Sequence, residues 1–179
     1  INELEEVGYI SKYMPVNARN YGLPQNRPRL LMMSVFVGNN ETLKKEIKTF
    51  FDSWGLDEMK ILSDFRKSEF YSPVTITQLL RLPAVRNSKL WEEALDCTPN
   101  DTVSRRKIWE ENPKIVDERG CITSEEFIRT ITTKQDRHPN SGNVYFDSGV
   151  EGRGKFRYLT PRECLLFMGF TDEDYERLQ

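Results

Sequence analysis

Hydrophobic positions follow a strand-like pattern at the start of the chain and a helical pattern afterwards. Residues 9–16 predict a strand, which Pro15 places at a sheet edge. Residues 30–37 form a nearly unbroken apolar run, which is typical of a strand buried on both faces. From residue 41, apolar side chains recur at helical spacing and predict a helix that ends at Gly55. The apolar positions of this helix are Leu43, Ile47, Phe50, Phe51 and Trp54.

The remaining elements predicted by the pattern are short. Alternation at residues 129–134 and the apolar residues 144–146 favour two strands. Helical spacing and capping residues favour further helices at residues 2–7, 75–82, 88–95, 102–111, 124–128 and 171–179.

The helix with the clearest end signals begins after Leu159. Thr160 is a good N-cap, Pro161 suits the first helical position, and Glu163 can complete a capping box with Thr160. Gly169 can adopt the left-handed conformation that ends a helix. These signals predict a short, well-capped helix and say nothing yet about function.

Two segments hold the side chains that suit a nucleic acid. Glycine and prolines exclude a regular helix at residues 17–29, and in an extended chain Gln25, Arg27 and Arg29 project to the same side. Arginine offers a rigid, charged fork that fits a phosphate or a base edge. A loop with solvated arginines is the alternative that the residues alone leave open.

Residues 129–157 are the most basic long segment, with six lysines or arginines against three acidic residues. The segment also carries glutamine and asparagine, which together with arginine are the side chains that read base edges. A surface hairpin with ordinary polar residues is the alternative. His138 stands in this loop without a partner motif, so we assign it no catalytic role.

Composition narrows the classes of protein further. A net charge of −2 over 179 residues argues against a general polyanion binder but allows a local basic face. No apolar run of about 18 residues occurs, so no membrane span is expected. The acidic start is unlike a signal peptide, and because the chain begins with Ile1 we expect that it was cut from a longer protein. Cys97, Cys121 and Cys164 form no Cys-x-x-Cys pair, which favours a reducing compartment and no metal site.

The capped helix carries a recognisable motif. The sequence Arg-x-Leu-Thr-Pro-Arg-Glu-Cys followed by Met-Gly-Phe, at residues 157–170, resembles the ninth ordered motif of the DNA (cytosine-5) methyltransferases. In that family the helix belongs to the scaffold that holds the DNA-reading domain. The resemblance implies this structural role for Thr160, Pro161, Arg162 and Glu163.

A second motif supports the first. Asn-x-x-x-Tyr-Gly-x-Pro-Gln-x-Arg-x-Arg at residues 17–29 is similar to the eighth motif of the same family. There the final arginine faces the flipped target cytosine, and its neighbours contact the DNA backbone. The resemblance implies that Arg29 meets the base and that Arg27 and Gln25 support it.

Between these motifs lies the segment that would read the DNA sequence. Thr130-Ile131-Thr132 resembles the Thr-Leu or Thr-Val step that leads into the second base-reading loop of these enzymes. The resemblance implies that polar residues in and after this step contact DNA. The candidates are Thr130, Thr132, Lys134, Gln135, Arg137, Asn140 and Asn143.

The groups that carry out the family's chemistry are missing from the sequence. It holds no glycine-rich loop after a strand for S-adenosylmethionine, no Pro-Cys nucleophile and no Glu-Asn-Val acid. Cys97 follows Asp96 in place of proline, so we interpret it as structural. Glu111-Asn112 precedes a proline and falls after the eighth motif, so we interpret it in the same way. S-adenosylmethionine is therefore expected as the cofactor of the complete enzyme, bound outside this chain.

The resemblance implies an α/β fold, namely the C-terminal portion of a Rossmann-like S-adenosylmethionine-dependent methyltransferase plus a small mixed α+β target-recognition domain. The expected divisions are the end of the catalytic domain at residues 1–40, the target-recognition domain at residues 41–156, and a return to the catalytic domain at residues 157–179. Strand edges and helix faces that meet the missing half are expected to be exposed.

The sequence-based hypothesis is the DNA-recognition portion of a DNA cytosine-5 methyltransferase that is inactive alone. Its expected partners are double-stranded DNA and a missing N-terminal catalytic half, with no membrane and no metal. A cytoplasmic location, nucleoid-associated if the source is bacterial, is expected. Three alternatives stay open: a tRNA cytosine-5 methyltransferase of the same family, a natural half-enzyme completed by a partner chain, and a non-catalytic, sequence-specific DNA-binding module.

Overall fold

The computed structural model describes residues 2–53, 58–123 and 126–179, and the chain forms two compact units. Unit 1 comprises Ile1–Tyr21 and Pro28–Ser72, whereas unit 2 comprises Gly22–Arg27 and Pro73–Gln179. Both units mix helices and strands, which agrees with the expected mixed α/β class. The Rossmann-like assignment and the predicted division at residues 40 and 156 remain predictions.

The elements are short in both units. The helices are α1 (Asn2–Glu6), α2 (Glu41–Ser53), α3 (Glu58–Arg66), α4 (Ile76–Leu79), α5 (Lys89–Asp96), α6 (Val103–Glu111), α7 (Pro161–Leu166) and α8 (Asp172–Arg177). The strands are β1 (Tyr9–Asn17), β2 (Gln25–Asn26), β3 (Pro28–Phe36), β4 (Lys114–Val116), β5 (Ile128–Arg129), β6 (Asn143–Tyr145) and β7 (Phe156–Arg157). A 3-10 turn covers Ala18–Tyr21.

Unit 1 is built around an antiparallel ribbon. Strands β1 and β3 pair along their full length, from Tyr9 opposite Phe36 to Asn17 opposite Pro28. A small core joins the ribbon to helix α2, with Phe51 buried and the predicted helical spacing of α2 confirmed. The predicted helix end at Trp54 and Gly55 lies outside the described residues.

The prediction that residues 30–37 are buried on both faces is wrong for this chain. In β3, the exposed fraction of Leu30, Leu31, Met32 and Met33 lies between 44% and 62%. The physical reason is that β3 pairs only with β1, and in the described residues no third strand joins this sheet. The expectation that strand edges and helix faces are exposed where they meet a missing half stays a prediction. We call β1 and β3 the exposed ribbon.

Unit 2 contains the larger core. Strand β6 lies between β4, which is parallel to it, and β7, which is antiparallel. The two-residue strands β2 and β5 form a separate parallel pair. The buried apolar cluster is formed by Ile76, Leu79, Leu80, Ile115, Val116, Ile128, Ile131, Val144, Leu159, Leu166 and Phe167.

Most predicted helices of unit 2 are confirmed because their caps are local. The hydroxyls of Ser88 and Thr102 accept hydrogen bonds from the backbone N–H groups of Trp91 and Arg105, as N-caps do. The predicted helix at residues 75–82 is shorter, since α4 ends at Leu79.

Other predicted elements of unit 2 differ from the structure. The strand expected at residues 129–134 is reduced to β5, because residues 133–137 form turns. The helix expected at residues 124–128 lies partly outside the described residues, and its last residue, Ile128, begins β5. Helix α3 of unit 1 and strand β4 were not predicted.

Candidate nucleic-acid interface

The polar loop, residues 130–142 between β5 and β6, combines a buried base with an exposed tip. The backbone N–H groups of Arg137 and His138 both donate to the carbonyl oxygen of Lys134, at 3.1 and 2.7 Å. Pro139 and Ser141 are buried. The tip is therefore presented from a fixed backbone.

Gly142 fixes the end of the polar loop against the core. Its φ is +115°, and a Cβ placed there would lie 2.7 Å from Cγ1 of Ile115, so any side chain would be strained. The next residue, Asn143, is buried, and its backbone N–H donates to the carbonyl oxygen of Pro113 at 2.8 Å. Its Nδ2 also points to that carbonyl, at 3.4 Å. The side chain of Asn143, which the sequence predicted to contact DNA, is thus directed to a hydrogen bond with Pro113 inside unit 2.

Three of the predicted DNA-contacting side chains are exposed together on the polar loop. They are Lys134, Arg137 and Asn140. The guanidinium of Arg137 lies 3.8 Å from the carboxylate of Asp136, which is a weak, exposed ion pair. Thr132 is half-buried. The exposed trio supplies donors of the types that bind phosphate and base edges.

Gln135 points inward from the same loop. Its Nε2 donates to Sγ of Cys164 at 3.0 Å, and its Oε1 accepts from the hydroxyl of Ser141 at 3.5 Å. Both ends of this amide are therefore used within unit 2. Gln135 therefore ties the polar loop to helix α7, whereas the sequence predicted that Gln135 contacts DNA.

Residues Gly22–Arg27, which we call the linking segment, belong to unit 2. Within this segment, Gln25 pairs with Ile128 and Asn26 with Arg129 in the β2–β5 ladder. The hydroxyl of Thr130 donates to the carbonyl oxygen of Asn26 at 2.7 Å. The later part of the eighth motif, up to Arg27, is thus joined to the start of the polar loop.

Gln25 is fully buried in unit 2. Its Nε2 donates to the carbonyl oxygen of Phe167 at 2.9 Å, and its Oε1 accepts from Nη1 of Arg27 at 3.4 Å. Gln25 therefore holds Arg27 from the interior, and its own amide has no access to solvent. Its predicted role as a support for the arginines remains a prediction.

Arg29 belongs to unit 1 and is exposed at the start of β3. Its Nη1 donates to the carbonyl oxygen of Pro28 at 2.6 Å. The common side predicted for Gln25, Arg27 and Arg29 involves both units and stays a prediction.

Helix α7 has the end structure that the sequence predicts. The hydroxyl of Thr160 accepts from the N–H of Glu163 at 3.2 Å, and the carboxylate of Glu163 accepts from the N–H of Thr160 at 2.9 Å. Pro161 occupies the first helical turn. The predicted capping box is confirmed, and it fixes the direction of the Glu163 side chain.

Glu163 uses the same carboxylate to form a buried ion pair. Its oxygens accept from Nη1 and Nη2 of Arg157 at 2.6 and 2.8 Å, and neither side chain has any exposed surface. Oε1 also accepts from the backbone N–H of Arg81 at 2.9 Å. Nε of Arg157 finds no hydrogen-bond partner among the described residues. Two segments that are distant in sequence, residues 157–163 and the residue Arg81, therefore converge on one carboxylate.

Arg162 of the same motif forms a second cluster of ion pairs in unit 2. Its buried guanidinium binds the carboxylates of Glu93 at 2.8 Å and Asp172 at 3.0 Å, and also that of Glu176. Its central carbon lies 4.4 Å from the centre of the Tyr175 ring, within cation–π distance. Arg162 thereby connects helices α5, α7 and α8.

Sequence reasoning missed the partners of this motif. Glu93 and Asp172 lie far from each other along the chain, and no local spacing pairs Arg81 with Asp172, which are 91 residues apart. Arg157 lies within the ninth motif, but nothing in the neighbouring sequence indicates that its side chain is buried.

Cys97 and Cys164 do not suit a nucleophile. Burial raises the pKa of the Cys97 thiol to about 12 and that of the Cys164 thiol to about 11. A nucleophilic cysteine needs a lowered pKa, since the thiolate is the reactive form. Cys97 is the C-cap of α5, in agreement with its structural interpretation.

Two further properties concern metals and membranes. Across residues 2–53, 58–123 and 126–179, no three His, Cys, Asp or Glu side chains are placed to hold a metal ion. In the same ranges no helix has the length and apolar character needed to span a bilayer.

Comparison of the sequence with known proteins identifies its family. A family model for C-5 cytosine-specific DNA methylases matches residues 1–177. The chain therefore belongs to the C-5 cytosine-specific DNA methylase family. It is also similar to "Type II methyltransferase M2.ScrFI" of Lactococcus lactis subsp. cremoris, with 24% identity over 178 residues. That match covers 97% of this chain and 38% of the relative, so the chain spans well under half of that protein's length.

Members of this family use S-adenosylmethionine, and the described residues do not fit that cofactor. Close approach of a backbone to a bound nucleotide requires a glycine-rich turn. In the described ranges, the connections from a strand to a following helix carry at most one glycine, Gly38 between β3 and α2. No step of the chemistry is therefore assigned to a cofactor held by these residues.

Proposed function

We propose that this chain is the DNA-recognising portion of a DNA cytosine-5 methyltransferase. It reads a short duplex site and supports extrusion of the target cytosine. The observation that carries the proposal is the exposure of Lys134, Arg137 and Asn140 on one loop with a buried base, in a chain of this family. A preformed loop loses little conformational entropy when it binds.

The polar loop reads the site from the major groove. Arg137 can donate two hydrogen bonds to a guanine, and Asn140 can bind an adenine in the same way. Such a pair discriminates between bases by about 1–3 kcal/mol. Lys134 adds charge that neutralises phosphate, so affinity falls with increasing salt.

The eighth motif acts on the target nucleotide. Arg29 meets the extruded cytosine and Arg27 binds the adjacent backbone, while the buried Gln25 keeps Arg27 in place. Extrusion of a base costs a few kcal/mol, which contacts of this kind offset.

The catalytic steps belong to a separate catalytic portion, the missing N-terminal half expected from the family's motif order. That portion supplies the nucleophilic cysteine, the proton donor and the S-adenosylmethionine site, and this chain alone is inactive. Two observations support this division: the buried thiols have raised pKa values, and the exposed ribbon offers apolar surface that a partner can cover.

Transfer of tritiated methyl groups to unmethylated duplex DNA tests the proposal. We expect no transfer by the chain alone and transfer once it is joined to its catalytic portion. Sequence-specific binding without transfer in either state would indicate a non-catalytic module. Transfer to tRNA with none to duplex DNA would indicate the tRNA enzyme.

Replacement of Arg137 tests the reading role of the loop. Arg137→Ala in the complete enzyme should relax the site preference at one base by about 1–3 kcal/mol, measured as relative kcat/KM on sites that differ at single positions. Arg177→Ala is the matched control, because the two arginines are equally exposed (78% and 77%) and both form weak ion pairs. An unchanged preference in Arg137→Ala would refute the assignment of this residue.

A further inference from the structure

We infer that Thr130 is a positioning residue that couples reading of the site by the polar loop to the placement of Arg27. The inference deepens the proposed function and rests on it. It assigns to Thr130 an inward role, where the family resemblance implied a contact with DNA.

Three consecutive residues join the start of the polar loop to the linking segment. The backbone N–H of Ile128 donates to the carbonyl oxygen of Pro24 at 2.9 Å. Ile128 and Arg129 then form the two-residue ladder with β2. The hydroxyl of Thr130 donates to the carbonyl oxygen of Asn26 at 2.7 Å and extends the connection by one residue. This bond is made by the first residue of the polar loop.

The linking segment is also fixed away from the polar loop. Gln25 donates to the carbonyl oxygen of Phe167, at the end of α7, and the carbonyl oxygen of Gly22 accepts from the N–H of Val74 at 2.9 Å. Asn26 and Arg27 continue the segment from these points, and the backbone of Asn26 contacts both β5 and the Thr130 hydroxyl.

The path from the loop to Arg27 is therefore short and polar. Thr130 binds Asn26 directly, Arg27 is the next residue, and its guanidinium is held by the buried Gln25 amide at 3.4 Å. Thr130 is half-buried, so its bond is partly shielded from competing water. Contacts between the exposed tip and a specific site would restrain Thr130 further, and through it the backbone that carries Arg27.

The experiment uses the complete methyltransferase that contains this chain. Thr130→Val removes the hydroxyl and keeps the shape, whereas Thr130→Ser keeps the donor. Thr133→Val makes the same chemical change at an exposed threonine of the same loop. For each variant we would measure kcat, KM, the Kd for duplex DNA, and the fluorescence of 2-aminopurine at the target position, which reports extrusion.

We expect Thr130→Val to lower kcat and the extrusion signal by roughly tenfold, the effect of losing one hydrogen bond in the extruded state. Its Kd should stay within about twofold of the wild type, because no contact with DNA is removed. Thr130→Ser and Thr133→Val should resemble the wild type. A double-mutant cycle with Arg27→Ala should be non-additive, since Thr130 acts through Arg27.

Distinct outcomes would overturn the inference. A raised Kd with an unchanged kcat would show that Thr130 contacts DNA. Additive losses in the double-mutant cycle would show that Thr130 contributes only to general stability. Wild-type rates in Thr130→Val would exclude any coupling. If the wild-type enzyme itself transferred no methyl group to duplex DNA, the proposed function would fail, and the coupling with it.

Discussion

The exposed ribbon of unit 1 and the helix α7 region of unit 2 differ in which side chains they expose to solvent. In the ribbon, Leu30, Leu31 and Met32 are apolar and more than half exposed. Around α7, Arg157 and Glu163 are charged and fully buried. The sequence alone would place these side chains the other way round, because apolar groups usually leave water and charged groups usually stay in it.

The difference shows which surfaces are complete within this chain. The buried charges of unit 2 have their partners in the same unit, so their desolvation is offset by ion pairs and hydrogen bonds. The ribbon exposes apolar area that would gain about 25 cal/mol per Å² if it were covered. The carboxylate of Glu163 therefore has its partners within unit 2, whereas the ribbon is suited to association.

The largest effect on stability is expected at the buried pair. Glu163→Gln leaves the Arg157 guanidinium buried without its counter-charge, so the free energy of unfolding should fall by about 3–5 kcal/mol. Urea unfolding of the chain measures this change. Glu173→Gln is the control, since this exposed carboxylate should matter by less than about 0.5 kcal/mol. Equal losses of unfolding free energy in the two variants would refute the stabilising role of the buried pair.

A smaller, pH-dependent effect is expected at the partly exposed edge of the same region. Hydrogen bonds from Arg81, and secondarily from Arg162, hold the pKa of Asp172 below its ordinary value of 3.8. A lowered pKa stabilises the fold at pH values above the ordinary pKa, and this contribution is lost as pH falls through the folded-state pKa. Because the carboxylate is 45% exposed, screening limits the contribution to about 1 kcal/mol.

Asp172→Asn should therefore lower the free energy of unfolding at neutral pH and have no effect well below pH 3.8. Urea unfolding at several pH values measures the difference between wild type and variant. Asp52→Asn, at the exposed ion pair with Lys12, is the control and should change little at neutral pH. A difference between Asp172→Asn and the wild type that persists in acid would mean that the side chain stabilises by packing.

The smallest effect on stability is expected in the exposed ribbon. Leu30→Thr with Met32→Thr keeps residues that favour strands, so the free energy of unfolding should change by less than about 0.5 kcal/mol. Recovery of methyl transfer on mixing with the catalytic portion should, however, be lost. Val85→Thr, an equally exposed apolar site in unit 2, should leave that recovery intact. Full recovery by the ribbon variant would show that association uses another surface.

Local signals in the sequence predicted local structure well. Thr160 caps its helix as expected, and Ser88 and Thr102 cap two further helices that the sequence predicted, because a cap depends on residues three or four positions away. The family resemblance likewise rested on contiguous motifs, and the family match over residues 1–177 agrees with it.

Properties set by distant parts of the chain escaped prediction. An apolar run such as residues 30–37 shows that a strand suits burial, but the element that buries it need not lie in the same chain. Gln135 and Asn143 have side chains that suit DNA reading, and their inward hydrogen bonds depend on Cys164 and Pro113, which are remote in sequence. Two-residue strands such as β2 carry no periodic signal at all.

The linking segment has a consequence for recombination between relatives. Unit 2 is assembled from two stretches, since Gly22–Arg27 is separated from Pro73–Gln179 by most of unit 1. A chimera that exchanged only the later stretch would set a foreign β5 and Thr130 against the host's Asn26. If the proposed function holds, transplanting site preference requires exchange of both stretches together, and the first of them is only six residues long.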